Sequence, residues 1–132
     1  MNWFLDTNTC IYFLKGQSES IRDHLFSKAP IEIKIPAIVK AELLLGAETS
    51  NAPTKTKVKV ESFLANFECV PFDNHAAEAY AQIRARLEKQ GSLVGPNDLF
   101  IAAIVKAHSG TLVTHNVAEF KRIAGLKVVD WV

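Results

Sequence analysis

Short unbroken apolar runs alternate along this chain with stripes at helical spacing. Trp3-Phe4-Leu5 is the first run, and with no polar residue to give it a wet face it predicts a strand buried on both sides. Asp6 follows at the strand's carboxyl end, and Ile11-Tyr12-Phe13-Leu14 belongs to a first helix closed by Lys15-Gly16-Gln17. Ile21, Leu25 and Phe26 repeat at helical spacing on a second helix ending near Ala29-Pro30. Ile31, Ile33 and Ile35 alternate with Glu32 and Lys34, which predicts a short strand with one wetter face. Pro36 suits the first turn of a helix running from Ala37 to Gly46.

Ser50 to Thr56 reads as a loop, and Val58, Ser62, Leu64, Ala65 and Phe67 mark a fourth helix. Cys69 to Phe72 is the next expected strand. Asp73 caps a long helix from Asn74 to Gln90, with Ala76, Ala79, Tyr80, Ile83 and Leu87 as its apolar stripe and Gly91 as its stop. After Gly95-Pro96 a helix is expected from Asn97 to Ser109. Thr111 to Thr114 then forms a buried strand, a short helix holds Phe120, and Val128-Val129 makes a last small strand. Strands alternating with helices over short connections predict an α/β sandwich with a mainly parallel sheet.

The chain has 132 residues, 48% of them hydrophobic, which suits one domain with a single core. A formal net charge of +1 gives no overall field for nucleic acid, so any RNA binding must rest on a local basic patch. Cys10 and Cys69 have no metal-ligand spacing and are expected to be reduced, buried thiols. No secretory signal and no span-length apolar segment is visible, so the expected setting is cytoplasmic.

Three acids stand out. Asp6 ends a buried strand, where open α/β sheets bind ligands, and it equally suits a helix cap. Glu42 shares a helix face with Ile38 and Leu45, so it is either a buried acid needing a cation or an edge residue reaching out to water. Asp98 lies in the first turn of its helix, where an acid is favoured on electrostatic grounds alone. Thr114 ends the later strand much as Asp6 ends the first, and Asn116 and Glu119 follow it. The four histidines show no zinc spacing, and oxygen donors of this kind favour a hard ion such as Mg²⁺ or Mn²⁺.

Leu5-Asp6-Thr7-Asn8, Glu42 with Gly46-Ala47, the run Gly95 to Ala103, and Leu112-Val113-Thr114-His115-Asn116 together resemble the PIN-domain nucleases. The likeness is closest to the VapC-type toxins of bacterial toxin–antitoxin pairs and extends to Glu119-Phe120 and Asp130-Trp131. The resemblance implies a three-layer α/β/α fold, one nuclease domain over residues 1–132, and metal-dependent endoribonuclease activity on a structured RNA, transfer RNA above all. It also implies a homodimer and an inhibitory VapB-like antitoxin. By motif, Asp6, Glu42 and Asp98 take the acidic metal-ligand positions, and the fourth acidic position falls on the neutral Asn116. Thr7, Asn8 and Thr114 would orient those ligands, and Glu119 is the nearest acid to compensate for Asn116.

Arg84, Arg86 and Lys89 on the long helix are candidates for RNA backbone contacts, or simply a solvated face. Ile11, Tyr12 and Leu14 would offer an antitoxin peptide an apolar groove, with an Arg inserted beside the acids. A haloacid-dehalogenase-like phosphatase needs a second acid two residues after the first, where this chain has Asn8. A signalling receiver needs paired acids at its first strand and a lysine after its last, and neither is present. A PIN-like subunit that binds RNA without cutting it is the remaining alternative, and the three acids argue against it.

Overall fold

A computed structural model describes residues 1–132. Five strands form one parallel sheet in the order β3-β2-β1-β4-β5. They are β1 (Trp3–Leu5), β2 (Ile33–Pro36), β3 (Glu68–Val70), β4 (Thr111–Val113) and β5 (Lys127–Val129). Seven helices flank the sheet: α1 (Thr7–Leu14), α2 (Glu19–Phe26), α3 (Ala37–Glu48), α4 (Pro53–Leu64), α5 (Asn74–Gln90), α6 (Pro96–Ala107) and α7 (Val117–Phe120). A parallel sheet must have both faces covered, and here the helices supply the two outer layers of an α/β/α sandwich.

The core follows the apolar runs. Phe4, Leu5, Ile33, Ile35, Leu112 and Val113 are buried on the central strands, against Ile101, Ile104 and Val105 of α6. β1 lies between β2 and β4, with Leu5 opposite Val113. The strand order reverses between β1 and β4, and such a switch point opens a crevice at the strands' carboxyl ends. Two backbone bonds carry the ladder up to that edge, Asp6 N–H to the Val113 carbonyl (3.1 Å) and Thr114 N–H to the Val129 carbonyl (2.9 Å).

Several boundaries depart from the expected ones. Pro30–Glu32 is a single 3₁₀ turn, which leaves Ile31 exposed and outside β2. All four residues of β2 are buried, so the strand has no wetter face. Lys34 is buried along its aliphatic stem, and its ammonium reaches Glu68 Oε1 (2.7 Å) on the facing position of β3. α4 begins earlier than expected, at Pro53, and stops at Leu64, so Val58 falls on its exposed side and Phe67 lies beyond its end. β3 ends at Val70, before Phe72, and Cys69 on this edge strand is exposed rather than buried, unlike Cys10. α3 continues past Gly46 to Glu48. α6 begins at Pro96, whose missing N–H has no helical partner to lose, and ends at Ala107 rather than Ser109.

Gly110 joins α6 to β4 where the chain passes directly over the ring of Phe4, and a Cβ there would collide with that ring. Gly110→Ala should therefore destabilise the fold by about 1–3 kcal/mol, the usual range for overpacking a full core. Urea denaturation checks this, and a wild-type midpoint would show that the Phe4 ring moves aside freely.

Candidate active site

Four segments meet at the carboxyl edge of β1 and β4. Asp6 leaves β1 in an extended conformation and caps α1, its Oδ1 accepting from Thr9 N–H (2.8 Å). The cap and the candidate ligand are thus the same residue, and one oxygen is already committed. Asp6 is buried, and that burial pushes its carboxyl above the ordinary value, helped by the charge of Glu42. Hydrogen bonds from Thr114 and Thr9 act in the opposite sense. The Thr9 hydroxyl also ties back to the Val113 carbonyl (3.3 Å).

Glu42 comes from α3, whose buried stripe is Val39, Leu43 and Ala47. Leu45 is exposed, so the apolar face expected around Glu42 is only its neighbour on one side, and the half-buried carboxylate sits at the border of the stripe. Its orientation is set by Thr7, whose hydroxyl donates to Glu42 Oε1 at 2.6 Å. Glu42, Gly95, Pro96, Asn97 and Asp98 line an open cleft of about 280 Å³.

Asp98 stands in the first turn of α6 and is half-buried. Desolvation, a hydrogen bond with Glu119, and the charges of Glu119, Asp6 and Glu42 push its carboxyl up to about 7. Glu119 moves the other way. Desolvation opposes ionisation, but the bond to Asp98 and the donors Gly95 N–H and Asn116 outweigh it, with Arg122 adding a favourable charge. Gly95 N–H reaches Glu119 Oε1 at 3.1 Å, and Asn116 Nδ2 reaches Oε2 at 2.9 Å. Asn116 N–H in turn donates to Thr114 Oγ1 (3.0 Å). A continuous polar chain therefore runs from Asp98 through Glu119, Asn116 and Thr114 to Asp6.

Of the residues singled out in the sequence, Asp6, Thr7, Glu42, Asp98, Thr114, Asn116 and Glu119 come together. Asn8 is exposed on the outer side of α1's first turn. His115 pairs with Asp130 (2.9 Å) instead of joining the acids. Arg84, Arg86 and Lys89 are all exposed, but Arg84 is engaged with Tyr80 Oη (2.7 Å) and Glu88 (3.2 Å). Ile11, Tyr12 and Leu14 are half-buried against the core, and the apolar groove on that side is lined instead by Phe13, Leu25, Phe26, Phe63 and Phe67. Thr9 and Gly95 escaped notice because they act through backbone N–H groups. The three-residue step from Asp6 to Thr9 was the available signal, since a capping acid bonds the N–H three places on.

As the side chains stand, no three acids lie at metal-ligating spacing, because Glu42 is turned to Thr7, Asp6 to Thr9 and Asp98 to Glu119. The donor chemistry nonetheless fits a hard divalent cation. The donors are all oxygens, and the acids are close enough for Asp6 and Glu42 each to raise Asp98.

A PIN domain family model matches residues 3–126. The chain belongs to the PIN-domain family. It is 39% identical over 131 residues to the tRNA(fMet)-specific endonuclease VapC of Salmonella typhimurium, a match covering 99% of this chain and 98% of that one. It is 36% identical to Ribonuclease VapC2 of Rickettsia felis, with the same shares covered. The crystal structure of DNA-bound VapBC from Salmonella typhimurium contains a chain that superposes with a TM-score of 0.95 at 38% identity, covering 100% of this chain and 99% of that one. The PIN fold and the VapC likeness thus extend over the whole chain, including every residue of the acidic cluster.

The crowding makes a pH-dependent prediction for metal-free protein. Folding raises Asp98 from the ordinary 3.8 to about 7, so the folded state holds that proton more tightly than the unfolded one. The resulting stability is present below the unfolded value and lost as pH rises through 7. Glu119 shifts downward from 4.5 and loses its contribution only in acid, so the loss between about 5 and 7 reports the raised carboxyls, with Asp6 acting in the same sense as Asp98 and the Asp98→Asn comparison isolating the latter. Thermal melts in EDTA should show Tm falling across that window in wild type and a flatter profile in Asp98→Asn. Equal slopes in the two proteins would contradict the crowding account.

Proposed function

We propose that residues 1–132 form one metal-dependent endoribonuclease domain, the toxin of a toxin–antitoxin pair, acting in the cytoplasm as a homodimer. The observation that carries this reading is the meeting of Asp6, Glu42 and Asp98 at the β1/β4 edge in a chain so similar to named VapC ribonucleases. The Salmonella relative's name points to transfer RNA as the substrate class, and the VapBC crystals support a VapB-like antitoxin as the partner.

Asp6, Glu42 and Asp98 would hold Mg²⁺ or Mn²⁺. When bound, the ion supplies Lewis-acid stabilisation of the phosphoryl oxygens and a water acidified enough to attack phosphorus. The protein's own residues prepare the place. Thr7 aims Glu42, while Thr9 N–H and Thr114 fix Asp6. Gly95 N–H and Asn116 hold Glu119, which keeps a proton on Asp98 until a cation competes for that carboxylate. A cation held by Asp98 would have to displace that proton, so its hold would be weaker in acid. With the acids thus saturated, Asn116 serves as a neutral donor to Glu119 rather than as a fourth carboxylate.

Cleavage by water leaves 3′-hydroxyl and 5′-phosphate ends, which mass spectrometry of the products will identify. A 2′,3′-cyclic phosphate would assign the attack to the RNA's own hydroxyl and overturn the mechanism. EDTA should stop cleavage and Mg²⁺ or Mn²⁺ restore it. Asp6→Asn, Glu42→Gln and Asp98→Asn should each lower the rate about 100-fold or more, because metal-borne charge stabilisation amounts to several kcal/mol. Asn preserves the α1 cap, so a folded Asp6→Asn protein with wild-type activity would exclude Asp6 from the site.

A further inference from the structure

A second groove, of about 350 Å³, lies between α5, α6 and the turn after α7. Its polar lining is Gln82, Arg86, Lys106 and Arg122, with no carboxylate among the lining residues. None of these three cations takes part in an ion pair, although other cations, including Arg84 and Lys34, do. Two of them are aimed by neutral groups. Lys106 Nζ donates to the Ala124 carbonyl (3.2 Å) and rests over Gly125, where a side chain would strike it. Arg122 donates to the Leu93 carbonyl. Carbonyls orient an ammonium or a guanidinium without cancelling its charge.

The groove adjoins the acidic cleft. Arg122 stands one turn after Glu119, their backbones joined by Arg122 N–H to the Glu119 carbonyl (3.2 Å). The 93–95 segment runs along both sites, with Leu93 against Arg122 and Gly95 against Glu119. Glu119 thus faces the acids while Arg122 faces the groove. A polyanion brought to Asp6, Glu42, Asp98 and Glu119 meets repulsion there, and cations beside the cleft that form no ion pair offset it, Arg122 among them also favouring the charge of Glu119.

We propose that Arg86, Lys106 and Arg122 form a phosphate track that seats the RNA backbone next to the cleavage site. The inference rests on the nuclease reading and revises the candidate contacts: Arg86 stays, whereas Arg84 is occupied by Glu88 and Lys89 does not line the groove. Phosphate contacts position an RNA without reading its sequence, so the track sets affinity and register rather than choice of bases.

The test is binding of labelled transfer RNA in EDTA, measured against salt concentration, for wild type, Arg86→Gln, Arg122→Gln and the double variant. The Arg86 side chain makes no hydrogen bond or ion pair within the chain that folding would miss, and melts will verify each fold. Each single variant should reduce the salt slope by roughly 0.7–0.9, and the double should bind roughly tenfold more weakly at moderate salt. Metal-dependent hydrolysis of bis(p-nitrophenyl) phosphate, too short to span the cleft and the groove, reports the acidic site by itself. Wild-type affinity and slope in the double variant would overturn the track. So would unchanged RNA binding together with weakened binding of a purified antitoxin, which would assign the groove to the protein partner. If the variants lose RNA binding as expected but wild type with Mg²⁺ or Mn²⁺ cuts no RNA, the nuclease reading fails and the track stands.

Discussion

The direct pairing of β1 with β4 is the constraint on which the rest of the molecule depends. Leu5 lies opposite Val113, so the residues just beyond them, Asp6 and Thr114, leave the sheet side by side. Everything acidic is arranged about that pair. α1 starts from Asp6, Glu42 is drawn in by Thr7 of α1, and the turn after Thr114 delivers Asn116 and Glu119 to Asp98. A shift of one residue in this register would turn the alternate faces of β1 outward and separate the two strand ends.

The same residues serve stability and chemistry at this edge, at some cost to the fold. Asp6 closes α1 as a cap, yet its burial beside Glu42 disfavours its charge. Asp98 relieves part of the strain by keeping a proton that it shares with Glu119. A cluster of this kind is a standing electrostatic conflict, held in place by the buried strands beneath it and eased by protons or cations above it. Its neighbour, the basic groove, keeps the opposite sign confined to a separate surface. The net charge of +1 conceals that separation.

Much of this was legible in the residues. The short runs Trp3–Leu5 and Thr111–Thr114 read as buried strands, and the acid following the first of them marked the edge where the acids gather. Asp98 was placed by Gly95-Pro96, which start α6 where the acid's first turn meets the strand ends. What local pattern could not supply was the partner across space. Lys34 looked like a solvent-side residue because its exposure depends on Glu68 across β2 and β3, 34 positions away. Leu45 and Phe26 looked like core positions because helical spacing reveals a stripe but not how much of it a neighbour covers. Lys106 and Arg122 sit on separate elements, and only the fold makes them neighbours of Arg86.

The strand order also bears on how the chain is made. β1 precedes every other strand in the chain, yet one of its two neighbours, β4, comes from residues 111–113, after β2 and β3 have been made. Until the ribosome has released that strand, Asp6 lacks Thr114, and Asp98 lacks both Glu119 and its fixed place beside the sheet. A nascent chain consequently carries scattered acids and no assembled centre. Late closure of the sheet thus keeps the acids of a partly made copy apart, and their mutual repulsion is met only when the strands beneath them are in place.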